Sequence, residues 1–264
     1  MTDKYAVIGN PVAHSKSPEI HAAFAKQTGQ DMSYERVLAP LDGFADTVKR
    51  LESEGYSGCN ITVPFKFEAY GLASNLTARA KSAQAVNTLR FADGVGDNTD
   101  GVGLVKDITR NLGIPLVGKQ VLLMGAGGAA AGVVLPLLEA GALLSIANRT
   151  LSKAEQLAAG RMQTVKANIY SAFEKDKFDV VINATSSGLS DELPPLYAGN
   201  FVHGALAYDM MYGRETPFMK FARANGAQVA DGLGMLVEQA AAAFFIWRGV
   251  RPDTAPVIAQ LRSA

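Results

Sequence analysis

Cysteine is almost missing from this chain: among 264 residues only Cys59 carries a thiol. No disulfide can form within the chain, and a reducing cytoplasm is the expected home. Histidine is scarce as well, and the spacing of His14, His21 and His203 does not make a metal-ligand cluster, so no metal is expected. Charge is thin: 19% of residues are charged, the 25 basic and 25 acidic side chains cancel, and no block of one sign stands out. That leaves no electrostatic footprint for a polyanion, so nucleic acid is not expected as a partner. From Met1 to Ala6 there is no basic segment followed by an apolar stretch, the pattern that export requires.

What the chain does have is apolar mass, 48% hydrophobic residues, together with 26 glycines. This excludes disorder and suits one large or two medium domains with a substantial core. From Val121 to Leu138 no charge interrupts eighteen residues, the length at which a membrane span is considered. Gly125, Gly127, Gly128, Gly132 and Pro136 break that run, so a buried strand followed by a buried helix is expected instead, and no membrane partner.

Short apolar runs alternate with helical patterns throughout, which reads as α/β. In the first hundred residues strands are expected at Tyr5 to Ile8, Tyr34 to Leu38 and Cys59 to Val63. Helices are expected from Pro18 to Thr28, around Leu41 to Glu54, and from Ala69 into the eighties. A domain junction is placed near residue 101, ahead of a helical pattern from Gly101 to Leu112. Beyond 119 the order becomes strand (Val121 to Met124), glycine turn, helix (Ala129 to Ala140) and strand (Leu143 to Ala147). Further strands are expected at Val165 to Ile169, Asp179 to Asn183, Gly204 to Asp209 and Gln228 to Ala230. Such alternation implies a parallel sheet covered on both faces. A last helix after Gly232 carries Leu236, Val237, Ala240, Phe244 and Phe245 on one side and is expected to return to the first domain.

Gly125-Ala126-Gly127-Gly128-Ala129-Ala130 matches the G-x-G-x-x-G/A fingerprint, and it lies between an apolar strand and an apolar helix, the context that gives the motif its weight. Gly125 permits the tight turn, Gly127 lets a pyrophosphate approach, and Ala130 lets helix and strand pack closely. Where an NAD-binding version usually carries an acid, this chain has Asn148, Arg149 and Thr150, then Lys153. A guanidinium suits a dianionic 2'-phosphate, so NADP is favoured over NAD. The loops Asn183 to Gly188 and Met210 to Tyr212 fall where the strands' carboxyl ends should be.

Asn60-Ile-Thr-Val-Pro-Phe-Lys66 alternates so that Asn60, Thr62 and Lys66 would share one face of an extended strand while Ile61, Val63 and Phe65 face the core. In Gly9 to Pro18, Ser17 is placed to cap a helix that starts at Pro18, beside the hydroxyl of Ser15. Asp100, before Gly101, would bring a carboxylate to the domain junction; a turn-forming role is the alternative.

Taken together these residues resemble the shikimate dehydrogenases. The resemblance covers nearly the whole chain: HSxSPxxH from His14 to His21, NxTxPxK from Asn60 to Lys66, Ala85-Val-Asn-Thr88, Asn98-Thr-Asp-Gly101, the GAGGAA turn, Asn148-Arg-Thr150, Asn183 to Gly188, and Asp231 to Gln239. It implies an N-terminal α/β substrate-binding domain (1–101 with 236–264) and a Rossmann-like, doubly wound parallel-sheet NADP domain (102–235), with a cleft between them. It implies Lys66 and Asp100 as the catalytic pair and Ser15, Ser17, Asn60, Thr62, Asn87, Tyr212 and Gln239 as the shikimate pocket. NADP contacts are implied from Gly125 to Ala129, Asn148, Arg149, Thr150, Lys153, Thr185, Met210 and Gly232. One departure is Ala78, where many members carry an acid.

The reaction so implied is reversible, NADP-dependent reduction of 3-dehydroshikimate to shikimate, in the pathway to chorismate and aromatic amino acids, by a monomer or homodimer. Two alternatives are a quinate/shikimate dehydrogenase preferring NAD and a non-catalytic ligand sensor.

Overall fold

The computed structural model describes residues 2–185, 187 and 191–263, so part of the expected loop, Ser186 and Gly188, lies outside the described residues. The chain divides into two compact units, Met1–Lys106 with Leu236–Ala264, and Asp107–Met235.

In the first unit the elements are β1 (Asp3–Gly9), α1 (Ser17–Thr28), β2 (Met32–Leu38), α2 (Phe44–Ser53), β3 (Tyr56–Ile61), α3 (Lys66–Leu72), β4 (Asn75–Leu76), α4 (Ala78–Ala83), β5 (Thr88–Arg90), β6 (Val95–Asp97) and α5 (Asp100–Lys106). They build a six-stranded sheet in the order β2-β1-β3-β5-β6-β4. The continuous apolar run from Tyr5 to Ile8 is what a strand flanked by neighbours on both sides requires, and β1 pairs in parallel with β2 and β3. Beyond β3 the sheet turns antiparallel, β5 running against both β3 and β6.

Two expectations give way here. The strand expected to continue toward Lys66 stops at Ile61, because a turn intervenes in which the Phe65 N–H donates to the Thr62 carbonyl at 3.1 Å. Val63 is consequently 59% exposed rather than facing the core. The helix expected from Ala69 into the eighties is split into α3 and α4, since Asn75 N–H and Thr77 N–H donate to Gly94 O and Gly96 O at 3.0 and 3.1 Å and pull the chain into the sheet. Thr77 then caps α4, its Oγ1 accepting the Ala80 N–H at 3.3 Å. The junction expected near residue 101 falls at the start of α5, and the first unit runs to Lys106.

The second unit contains β7 (Gln120–Met124), α6 (Gly128–Glu139), β8 (Leu143–Ala147), α7 (Leu151–Leu157), β9 (Lys166–Asn168), β10 (Phe178–Asn183), β11 (Phe201–Asp209), α8 (Pro217–Ala224) and β12 (Gln228–Ala230). All pairings are parallel, in the order β12-β11-β10-β7-β8-β9. Counted within the unit this is the Rossmann order, with the strand order reversing between β7 and β10, the kind of switch point at whose carboxyl ends such sheets bind ligands.

Helix α9 (Leu233–Arg248) precedes α10 (Ala255–Arg262). Val237, Ala240, Ala241 and Phe244 of α9 pack with Ile20 and Phe24 of α1 and Val257 of α10 into one cluster of the first unit. Phe245 does not join it: 38% exposed, it is instead covered by the Arg251 guanidinium, 4.1 Å from the ring centre. Among the described residues no helix is long and apolar enough to cross a membrane.

Candidate active site

Phe65 fixes the start of α3: it is buried and stacks on Phe44 with ring centres 4.8 Å apart. Lys66, the first residue of α3, is thereby held as the helix begins. Asp100 starts α5, its N–H donating to Asn98 Oδ1 at 3.2 Å. Lys66 Nζ donates to Asp100 Oδ2 at 2.5 Å, and the two side chains are only 15% and 7% exposed. A pair so shielded from water keeps most of its electrostatic strength and a defined geometry. The other carboxylate oxygen, Oδ1, accepts from Asn87 Nδ2 at 2.8 Å.

Asn87 is the centre of a polar cluster in the first unit. Its Oδ1 accepts the Thr99 N–H at 2.9 Å and the Thr88 hydroxyl at 2.9 Å. Its Nδ2 reaches Thr99 Oγ1 at 3.0 Å and Gln239 Oε1 at 3.4 Å. Gln239, on α9, anchors its own Nε2 to Leu236 O at 2.9 Å. Asn60 donates from Nδ2 to Asn87 O at 3.1 Å and Thr88 Oγ1 at 3.0 Å, and accepts from the Tyr34 hydroxyl at 2.7 Å. Lys66, Asp100, Asn87, Asn60 and Gln239 are thus gathered around one network, while Thr62 follows directly on β3, half-buried. Burial raises the Tyr34 phenol well above its usual range, and its neighbour Ser17 works the other way.

Ser15 and Ser17 lie together, both buried, with Ser15 Oγ donating to Ser17 Oγ at 3.1 Å. The capping role expected of Ser17 is not what the structure shows. Ser17 is already the first residue of α1, Lys16 occupies the cap position, and Ser15 Oγ accepts the Ser17 N–H at 3.3 Å. Arg36 clamps this loop by donating from Nε and Nη2 to Ser15 O at 2.8 and 2.6 Å. The Ser17 hydroxyl thus faces Ser15 and the Tyr34 phenol instead of the first turn of α1.

In the second unit, Gly125 has φ +103°, a conformation that favours glycine, and a Cβ there would stand 3.0 Å from Ala184 O. Gly127, the residue before α6, has open space where a Cβ would project. That is the cradle a pyrophosphate needs, with Ala126, Gly128 and Ala129 half-buried around it and the first N–H groups of α6 offered to it. A dinucleotide fits these residues. Asn148 closes the loop after β8 by donating to Thr150 O at 2.9 Å, while Arg149 and Lys153 are exposed. After β10, Thr185 donates its hydroxyl to Asn183 Oδ1 at 2.7 Å, and Met210 N–H donates to Asn183 O at 3.0 Å. A Cβ on Gly232 would stand 2.3 Å from Met210 O, so these two loops touch. Tyr212 is half-buried just past β11.

Sequence reasoning passed over Tyr34, Thr88 and Thr99. Thr99 could have been found from its place between Asn98 and Asp100 in a polar run, but Tyr34 reads only as a strand residue. Among the described residues no group of His, Cys, Asp or Glu could hold a metal ion.

Three family models match successive parts of the chain. Residues 7–89 match a shikimate dehydrogenase substrate binding domain, 106–190 a shikimate / quinate 5-dehydrogenase domain, and 232–262 a shikimate 5'-dehydrogenase C-terminal domain. A shikimate dehydrogenase (NADP(+)) of Methylobacillus flagellatus is 64% identical over 269 residues, covering 99% of this chain and 100% of the relative. Among solved structures, an Ael1 enzyme from Pseudomonas putida is 49% identical with a TM-score of 0.92 over 98% of both chains. The shikimate 5-dehydrogenase of Thermus thermophilus, solved in complex with NADP(H) and shikimate, is 34% identical with a TM-score of 0.89 over 99% of both. With identity this high across its full length, the chain belongs to the shikimate dehydrogenase family.

Proposed function

We propose that this chain catalyses the reversible, NADP-dependent reduction of 3-dehydroshikimate to shikimate. The observation that carries the reading is the shielded Lys66–Asp100 pair, 2.5 Å between Nζ and Oδ2, set in a ring of carboxamides and hydroxyls. When bound, the nicotinamide supplies the hydride, and the protein's task is alignment and charge management. Lys66 gives a proton from Nζ to the oxygen that would otherwise become an alkoxide, and takes it back in the reverse direction. Asp100 orients the ammonium through Oδ2 and holds a ring hydroxyl. Asn60, Thr62, Asn87, Tyr212 and Gln239 receive the remaining hydroxyls, and Ser15 and Ser17 the carboxylate. A small ring with three hydroxyls and a carboxylate needs that many polar partners to leave water without loss.

Gly125 to Ala129, Thr185, Met210 and Gly232 hold the cofactor's pyrophosphate and nicotinamide side. Asn148, Arg149, Thr150 and Lys153 take the 2'-phosphate, for which a guanidinium and an ammonium are suited. A reducing cytoplasm is the proposed setting, in keeping with the single cysteine, Cys59, being buried as a free thiol. The test is direct: purified protein given shikimate and NADP should produce the absorbance of NADPH at alkaline pH, and give far less with NAD. No absorbance rise would end the enzymatic reading, and equal rates with both cofactors would end the NADP preference.

A further inference from the structure

Two groups of fixed polarity decide the direction of every hydrogen bond between Tyr34 and Asp100. The Asn87 carbonyl can only accept, so the atom of Asn60 facing it at 3.1 Å must be Nδ2, and Oδ1 must face the Tyr34 hydroxyl. The Thr99 N–H can only donate, so the atom of Asn87 facing it at 2.9 Å must be Oδ1, and Nδ2 must face Asp100. Between the two carboxamides stands the Thr88 hydroxyl, 3.0 Å from Asn60 Nδ2 and 2.9 Å from Asn87 Oδ1. Only one arrangement satisfies both neighbours: Thr88 Oγ1 accepts from Asn60 and donates to Asn87. The result is an ordered chain, Tyr34 to Asn60 to Thr88 to Asn87 to Asp100, which Lys66 enters from the other side.

We propose that Thr88 is a positioning residue for this site: its hydroxyl ties the Asn60 carboxamide to the Asn87 carboxamide and so fixes where Asp100, and through it Lys66, stands. At 1% exposure the side chain is closed off from any ligand, so whatever it contributes must pass through its partners. The proposal rests on the reading that Lys66 and Asp100 handle the proton. Because members of such a chain polarise and align one another, losing the central hydroxyl should be felt at both ends.

The test is a double-mutant cycle with Thr88→Val, which keeps the shape, and Thr88→Ser, which keeps the hydroxyl. In the otherwise unchanged protein, Thr88→Val is expected to lower kcat/KM for shikimate by about tenfold, with Thr88→Ser within about twofold and the KM for NADP unmoved. In an Asn87→Ala background the same Thr88→Val change should cost less than about twofold, because the partner that transmits it is gone. Equal losses in both backgrounds, or a Thr88→Ser variant as slow as Thr88→Val, would overturn the proposal. Should Thr88→Val not fold, Tyr34→Phe carries the same cycle from the other end of the chain, with the same non-additivity expected. If the unsubstituted protein does not turn shikimate over at all, the functional reading fails separately. The positioning claim is then judged by the side-chain amide resonances of Asn87, which must move in Thr88→Val and overturn the claim if they stay.

Discussion

Lys66 Nζ and Asp100 Oδ2, thirty-four residues apart in sequence, meet at 2.5 Å from the first turns of two different helices. Each is placed by something rigid: Lys66 by the buried stack of Phe65 on Phe44, and Asp100 by the side chains of Asn98 and Asn87. Removing the ammonium while keeping the pocket should separate chemistry from binding. Lys66→Ala is expected to lower kcat by about a thousandfold, the scale of a lost general acid, with shikimate affinity changed by less than about tenfold. Turnover together with titration calorimetry checks this. Near-normal kcat would remove Lys66 from the reaction.

Two glycines of one turn should behave oppositely. Gly127 has open space around its missing side chain, so Gly127→Ala should leave the melting temperature nearly unchanged while weakening NADP binding, since the added methyl group enters the phosphate cradle. Gly125, at φ +103° and facing Ala184 O, cannot take a side chain without strain. Gly125→Ala is expected to cost about 1–3 kcal/mol of stability, read from denaturant unfolding. The reverse ranking in the two assays would contradict the roles assigned to this turn.

These contrasts also mark what could be read in advance. The second unit was legible because each signal was local: a run such as Val121 to Met124, the glycines after it and the alanines of α6 specify strand, turn and helix without knowledge of the rest of the chain. In the first unit, local pattern misled wherever long-range hydrogen bonds outweighed it. The alternation from Asn60 to Lys66 looked like one strand until the Thr62 to Phe65 turn broke it, and the helix beyond Ala69 gave way to pairing with residues 94–96. Asn60, Lys66, Asn87, Asp100 and Gln239 could be named from motifs. Thr88 stands inside one of those motifs, yet its place between two carboxamides, like that of Tyr34 beside Asn60, shows only in which atoms they face.

The proposed 2'-phosphate contacts lie on the loop after β8. Arg149 is exposed there and no acid stands in the neighbouring positions 148 to 150. Arg149→Asp should therefore raise the KM for NADPH by about 10- to 100-fold, by removing a charge-assisted contact and adding repulsion, and should leave or improve that for NADH. Parallel kinetics with both cofactors checks it. An unchanged ratio of the two would place the 2'-phosphate elsewhere.

His21 gives the fold a pH dependence whose sign can be worked out. It is fully buried, stacked on Tyr34 with ring centres 4.2 Å apart, and neither ring nitrogen has a hydrogen-bond partner. Burial pushes its pKa down to about 3, and the nearby Asn60 carboxamide acts in the opposite direction. The unfolded chain protonates this imidazole near its ordinary value of about 6.5 while the folded chain does not, so between those two values the unfolded state binds more protons. The stability His21 contributes is therefore present above the unfolded pKa and is lost as pH falls through that window. From pH 7 to pH 5 this one group should cost about 2 kcal/mol. His21→Phe keeps the aromatic stack and removes the titration, so its unfolding free energy should fall less over the same interval. Denaturant curves at both pH values measure the difference, and an equal fall in the two proteins would mean that the imidazole is already protonated, or paired, in the folded state.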